Sequence, residues 1–332
     1  MSLPRRGVTM RVLVTGGAGY LGSVVSRRLL TDGYQVRVLD SLLYGGHALL
    51  GLYLDGNFEF VHGDIRSAEV VNLALEGVHA IVHLAAIVGD PACAEHPDLA
   101  REVNIDGSMQ LFNQSKRLGI DRFVFASTCS NYGNTADSSE YVTEESELRP
   151  VALYAETKVA VERALLEAPS EDGPVVTALR FATAYGLSPR MRFDLTVNEF
   201  TMELLTKRRL LVYGGQFWRP YIHVLDVARA VALVLGSPPE KVDRQVFNVG
   251  DTDANFQKAQ LVELICAEIG GDMRIEHVHK KEDPRNYRVS FERIRQGLGF
   301  RGERSVKDGI REIIDAIEKG VLVDFESPQF RN

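Results

Sequence analysis

The sequence predicts an α/β fold, a parallel sheet doubly wound by helices, on three observations. Short apolar runs recur through the first half of the chain, at Val12–Val14, Gln35–Leu39, Phe58–Val61, Ala80–Ala85 and Arg122–Phe125, with helical patterns between them. The runs are near-continuously apolar, as strands are when helices cover both faces of a sheet. The first run breaks into Gly16, Gly17, Gly19 and Gly22, and a helical pattern follows over Leu21–Leu30. Strand, glycine-rich turn and helix in that order is the setting of a dinucleotide-binding fingerprint.

The bulk composition fits an ordinary globular protein. The chain has 332 residues, 45% hydrophobic and 25% charged, enough for a large core in one long domain or two unequal ones. A net charge of −7 opposes general affinity for nucleic acid, so a phosphorylated ligand needs locally placed arginines. Cys93, Cys129 and Cys266 are too few and too scattered for a disulfide framework or a zinc site, and a reducing cytoplasm is expected. No apolar run reaches membrane-spanning length. Met1–Thr9 carries Pro4, Arg5 and Arg6 without an apolar core, which predicts a disordered leader ahead of Met10 and no signal peptide.

Each strand end then offers a residue suited to a dinucleotide. Gly16 turns the chain sharply off the first strand, and Gly19 leaves no Cβ between backbone and pyrophosphate. Gly22 lets the helix pack close, with its N–H groups and positive end toward the phosphates. The second run ends in Asp40, about twenty positions after the glycine loop, where a carboxylate accepts from an adenosine ribose. It would repel a 2′-phosphate, so NAD is favoured over NADP. Asp64 follows the third run and suits either the adenine edge or the cap of a helix starting near Ser67. Ala85 and Ala86 allow close backbone approach after the fourth run, whereas His83 inside that run reads as a packed core histidine. A long helical pattern over Pro97–Leu118 contains Asn104.

Chemistry enters after the fifth run. Ala126-Ser127-Thr128-Cys129-Ser130-Asn131-Tyr132-Gly133 precedes a polar loop, and Tyr154-Ala-Glu-Thr-Lys158 opens a helical stretch to about Glu167. Tyr154 and Lys158 lie one turn apart on one helix face. An ammonium beside a phenol stabilises the phenolate, so Tyr154 suits a general base.

Together these pieces resemble the extended short-chain dehydrogenase/reductases that act on nucleotide-diphosphate sugars, UDP-galactose 4-epimerase and its relatives. The resemblance covers Thr15–Gly22, Asp40, Gly63–Ile65, His83–Ala86, Asn104, Ser127–Gly133, Tyr154–Lys158, Leu179–Gly186 and Arg219–Val224. Val88–Cys93 and Ser188–Asp194 are also similar to a subgroup acting on C4 of nucleotide-linked hexoses or heptoses. The resemblance implies a Rossmann-type sheet over residues 10–186, with part of 220–250 returning to it. It also implies a smaller mixed α/β lobe, mainly over 187–332, for the nucleotide sugar.

It implies roles as well. Gly16, Gly19, Tyr20, Leu21, Gly22, Asp40, Asp64, Ile65, Leu84, Ala85, Ala86, Asn104, Tyr154 and Lys158 would hold NAD. Tyr154 would take the C4 hydroxyl proton while hydride leaves C4, and Lys158 would hold the nicotinamide ribose and depress the phenol's pKa. Thr128 would hydrogen-bond the reacting oxygen, and Asn104 would belong to the shell around Lys158. Thr128, Cys129, Ser130, Thr183, Asn198, Arg219 and Arg285 would line the substrate site, with Asn198 and the arginines toward the diphosphate or the neighbouring sugar. Relatives pair through the helices bearing Asn104 and Tyr154, implying a homodimer with a four-helix interface.

Two departures shape the expected reaction. The 4,6-dehydratases of the family carry Asp and Glu after the catalytic Thr; here Cys129 and Ser130 stand there, so dehydration lacks its acid–base pair. Thr183 stands where the well-known epimerases place an Asn. The leading expectation is an NAD-dependent 4-epimerase, with a C4 dehydrogenase or 4-keto reductase as its rival and a non-catalytic NAD-binding regulator as a remote one.

Overall fold

The computed structural model describes residues 10–133, 140–169, 173–278 and 285–332. The leader expected over Met1–Thr9 lies outside them, as do Asp283 and Pro284. The first half of the chain runs β1 (Arg11–Thr15), α1 (Tyr20–Thr31), β2 (Gln35–Asp40), β3 (Phe58–His62), α2 (Ala68–Leu75) and β4 (Ala80–His83). Then come α3 (Asp90–Glu95), α4 (Pro97–Arg101), α5 (Ser108–Arg117), β5 (Arg122–Thr128), β6 (Tyr141–Val142) and α6 (Leu153–Glu167). The second half runs β7 (Val175–Phe181), β8 (Thr183–Tyr185), α7 (Thr196–Lys207), β9 (Arg209–Tyr213), β10 (Trp218–His223), α8 (Val224–Gly236), α9 (Pro239–Val242) and β11 (Gln245–Val249). It closes with β12 (Asn255–Gln257), α10 (Lys258–Ile269), β13 (Arg274–Val278), β14 (Arg288–Val289), α11 (Glu292–Leu298) and α12 (Val306–Glu318).

Seven strands form one parallel sheet in the order β11-β7-β5-β4-β1-β2-β3. The chain winds outward from β1 to β3, then crosses back to lay β4 on the other side of β1. Strand order reverses there, which opens a crevice at the carboxyl ends.

The apolar runs explain the layers. Val12 and Val14 of β1 join one core with Val25 and Leu29 of α1 and Ala230 and Val231 of α8. Leu13, between them, points to the other face and packs with Ile81, Phe123 and Phe125 beside Val71 of α2, Phe112 of α5 and Leu165 of α6. Full burial of each such side chain contributes roughly 1.5–3 kcal/mol, so both faces resist separation. A third core, around Leu204, Leu210, Val212, Leu261, Ile265 and Ile310, joins α7, β9, α10 and α12. In the second half α8 covers α1, β11 adds to the sheet edge against β7, and α11 packs on β11.

Two boundaries differ from the sequence pattern. The fourth strand ends at His83, not Ala85, because its neighbour ends first: Thr15 pairs with His83, and Gly16 then turns away. The pattern over Pro97–Leu118 is not one regular helix, since α4 and α5 are joined by a π-helical turn over Glu102–Gly107. Ser108 Oγ donates to the Asn104 carbonyl inside that wider turn (2.6 Å).

Candidate active site

The glycine turn builds a cradle at the switch point. Gly16 has a φ of +73°, and a Cβ added there would lie 2.7 Å from the Ala85 nitrogen. At Gly22 a Cβ would meet the Gly16 carbonyl at 2.0 Å, so only glycine lets α1 begin directly behind the turn. Gly19 caps α1 without a side-chain hydrogen bond, which leaves the helix's first N–H groups and positive end to the cavity. Asp40 is fixed across the cradle, its two oxygens accepting from the Ala18 and Leu42 nitrogens (2.9 and 2.8 Å). Burial raises its pKa against those donors, and lone pairs remain on the carboxylate for a further ligand.

Asp64 also borders the cavity, but it does not cap α2. That role belongs to Ser67, whose Oγ accepts from the Val70 nitrogen (3.4 Å). Burial alone would raise the Asp64 carboxyl; the hydrogen bonds and charge of Arg66, 2.8 Å away, outweigh it and hold the pKa low.

One cavity of about 830 Å³ unites the site. Gly16, Gly19, Tyr20, Leu21, Gly22, Asp40, Asp64, Ile65, Leu84, Ala85 and Ala86 border its cofactor end. Thr128, Ser130, Tyr154, Lys158, Thr183, Arg219 and Arg285 border the remainder. Its lining holds eight cationic side chains against four carboxylates, in a chain whose net charge is −7. Such a reversal of sign in a cleft suits two diphosphates. With the glycine cradle and Asp40, it fits a dinucleotide. Among the described residues no group of His, Cys, Asp and Glu is placed to hold a metal ion.

The reactive side chains meet where β5 ends beside α6. Thr128 Oγ1 accepts from the Ser130 nitrogen (3.1 Å), closing the tight turn over Cys129–Tyr132 and leaving its own O–H to donate. The Lys158 ammonium sits 4.9 Å from the Phe125 ring centroid and 5.9 Å from that of Tyr154. Burial pulls its pKa down to about 8. Burial pushes the Tyr154 phenol up, and the nearby charge that chiefly opposes this is Arg192.

Three expected contacts are directed elsewhere. Cys129 is buried with Sγ donating to the Arg180 carbonyl (3.1 Å), so it points into the sheet and does not line the cavity. Asn198 is also fully buried, accepting from the Gly186 nitrogen (3.0 Å) and donating to the Arg192 carbonyl (2.9 Å). Asn104 accepts from the Ile87 nitrogen and donates to the Ile87 carbonyl (2.7 and 3.0 Å), and it donates to Thr157 Oγ1 (3.1 Å). It thus ties the exit of β4 to α6 without reaching the cavity itself. Tyr20 borders the cavity, but its hydroxyl donates to the Gly186 carbonyl (2.7 Å).

Several residues at the site escaped sequence reasoning. Glu162, one turn beyond Lys158, receives Ser127 Oγ (2.5 Å) and pairs with Arg180 (2.5 Å). Arg180 in turn donates to the Tyr132 hydroxyl (2.9 Å), which donates to Asn248 (2.7 Å). This buried chain joins β5, α6, β7 and β11 behind Thr128 and Lys158. Arg190, Arg192 and Asp194 line the cavity, as do Tyr44, Asp90, Arg331 and Asn332. The arginine pair was visible in sequence, but no periodicity told where the segment bearing it would lie.

Comparison with known proteins agrees with this geometry. Residues 12–250 match the model of the NAD dependent epimerase/dehydratase family. A dTDP-glucose 4,6-dehydratase of Streptomyces niveus is 33% identical over 322 residues, 92% of this chain and 92% of that protein. A UDP-glucose 4-epimerase of Corynebacterium glutamicum is 28% identical over 313 residues, 89% and 92% of the two chains. Among solved structures, the UDP-glucose 4-epimerase of Thermotoga maritima with UDP-glucose has a TM-score of 0.83 at 27% identity, covering 94% of this chain and 100% of that one. The dTDP-glucose 4,6-dehydratase of Streptomyces venezuelae with NAD bound has a TM-score of 0.83 at 30% identity, covering 93% and 97%. With the family model spanning well over half its length, the chain belongs to the NAD-dependent epimerase/dehydratase family and is an NAD-using enzyme of the epimerase or oxidoreductase type.

Proposed function

We propose that this enzyme is a nucleotide-diphosphate-sugar 4-epimerase. One observation carries the reading: Thr128, Tyr154 and Lys158 share a cavity whose carboxylates beyond the cofactor end are already committed. Asp90 is paired with Arg285 (2.8 Å) and Asp194 with Arg192 (2.5 Å). The relative with 33% identity is a 4,6-dehydratase, but the positions after Thr128 hold Cys129, turned into the sheet, and Ser130. Neither provides a carboxyl group to remove a proton at C5 and protonate the leaving hydroxyl at C6.

In this reading Tyr154 accepts the C4 hydroxyl proton and later returns it, and Thr128 donates to the oxygen at C4. NAD, when bound, would supply the hydride acceptor for C4. Lys158 orients the nicotinamide ribose, Ser130 and Thr183 border the sugar, and Arg219 and Arg285 hold the nucleotide's diphosphate. Inversion requires the keto sugar to turn over between the two transfers.

The test is a panel of UDP-, dTDP- and GDP-hexoses incubated with purified protein without added NAD, the products read by NMR. Inversion at C4 with no net redox change is expected. Accumulation of a 4-keto sugar or of NADH would overturn the epimerase in favour of a C4 dehydrogenase. Tyr154→Phe should lower kcat by about a hundredfold or more while nucleotide-sugar binding persists.

A further inference from the structure

The segment after β8 is bound to the first turn of α1. The Tyr20 hydroxyl donates to the Gly186 carbonyl (2.7 Å), Ser188 Oγ donates to the Tyr20 carbonyl (2.7 Å), and Ser23 Oγ meets Ser188 Oγ at 3.2 Å. Asn198 fixes the same segment from beneath, at Gly186 and at Arg192. The stretch carrying Arg190 is thereby held beside the glycine cradle.

Arg190 is only 7% exposed, yet it borders the same cavity as Gly19 and Leu21. Its guanidinium stacks 4.5 Å from the ring centroid of Tyr44, on the loop that follows Asp40. One arm donates to the Arg331 carbonyl (2.8 Å), while Nε is buried with no hydrogen-bond partner among the described residues. The adjacent carboxylate of Asp194 is taken by Arg192 through two bonds (2.9 and 2.5 Å). Burial and the charge of Arg192 both work against the Arg190 cation. A buried guanidinium with no carboxylate of its own is costly unless an anion joins it. The tail completes the arrangement: the Phe193 nitrogen donates to the Phe330 carbonyl (2.8 Å), and Asn332 Nδ2 donates to the Val88 carbonyl beyond β4 (3.3 Å).

We infer that Arg190 is a second diphosphate ligand for NAD, set against the N-terminus of α1, and that residues 186–194 and 330–332 form a strap retaining the cofactor. The strap is anchored to α1 at one end and to the exit of β4 at the other. A guanidinium fork suits diphosphate oxygens, and stacking on Tyr44 fixes its plane. The inference requires only that the chain binds NAD, and it stands whether or not the enzyme inverts C4.

The experiment measures NAD retained per chain after purification, and its release rate into excess trap. Arg190→Ala and the bulkier Arg190→Gln are compared with the parent. Both variants should lose NAD about ten- to a hundredfold faster, the range for losing hydrogen bonds to a charged group. Competition against bound NAD by ADP and by adenosine locates the contact. ADP should weaken by a similar factor, and adenosine should change less than about twofold. Unchanged retention overturns the inference. An equal loss of ADP and adenosine, or failure of both variants to fold by circular dichroism, assigns Arg190 a purely structural role and also overturns it.

Discussion

Lys158 shows what burial does to a charged group at the cavity's edge. It is 4% exposed, and its pKa falls to about 8 from an ordinary 10.5. Between those values the unfolded chain binds a proton that the folded chain does not, so stability rises with pH across that window. Below about pH 8 the folded protein carries the whole cost of the buried cation. Lys158→Met in cofactor-free protein should therefore melt higher than the parent at pH 7, by a few kcal/mol at most at about 1.4 kcal/mol per pKa unit. The gap should close as pH approaches 10.5, and thermal melts at pH 7, 8.5 and 10 follow it. His83 shows the same physics in a residue without a place in the reaction. Burial lowers its pKa to about 3, and its ring bridges Thr15 Oγ1 and Ser108 Oγ (2.7 and 2.8 Å). Because Ser108 donates to the Asn104 carbonyl, His83 Nε2 is the donor to Ser108 and Nδ1 the acceptor from Thr15. The surrounding apolar run announced that packed histidine in the sequence. The direction of the Cys129 and Asn198 side chains was not announced, since it depends on which neighbour each one faces after folding.

At the scale of elements, the pair formed by Glu162 and Arg180 keeps β5, α6 and β7 in register behind the reactive residues. Their side chains are 2% and 5% exposed, and Ser127, Tyr132 and Asn248 extend the bonding. Removing one charge leaves the other buried and uncompensated, which costs about 3–5 kcal/mol. Glu162→Gln is therefore expected to lower stability by that amount in urea denaturation and to shift the alignment of α6 against β5. A loss below 1 kcal/mol would show that the pair is dispensable. Neither residue stood out in the sequence, because their pairing joins α6 to β7 and no spacing rule connects them. The apolar runs, in contrast, located the first five strands of the sheet. Their ends were less legible: β4 stops at His83 because β1 offers no partner beyond Thr15, a property of the pair and not of either strand.

For the molecule as a whole, the sign of the field differs between bulk and cavity. A net charge of −7 surrounds a cleft lined by eight cationic groups and four carboxylates. The chain achieves this by bringing Arg190, Arg192, Arg219 and Arg285, all beyond β8, to the cavity that Lys158 borders. Among the described residues no helix is long and apolar enough to cross a membrane. The resemblance leads us to propose a homodimer paired through the helical segments bearing Asn104 and Tyr154. Light scattering at micromolar concentration should return twice the 36.9 kDa chain mass, and a monomer under those conditions would sink the paired arrangement.

By itself the sequence determined the parallel sheet, the glycine cradle with Asp40, and the positions of Thr128, Tyr154 and Lys158. Each of these is local: apolar periodicity sets a strand, a turn needs its glycines, and a helix places residues four apart on one face. Tertiary structure alone decided which polar groups look into the cavity. It turned Asn104, Asn198 and Cys129 to other partners and carried Arg190, Arg331 and Asn332 to the cavity. The physical reason is distance along the chain. A contact such as Arg190 on Tyr44 forms only after both sheet faces have packed, and no local pattern records it.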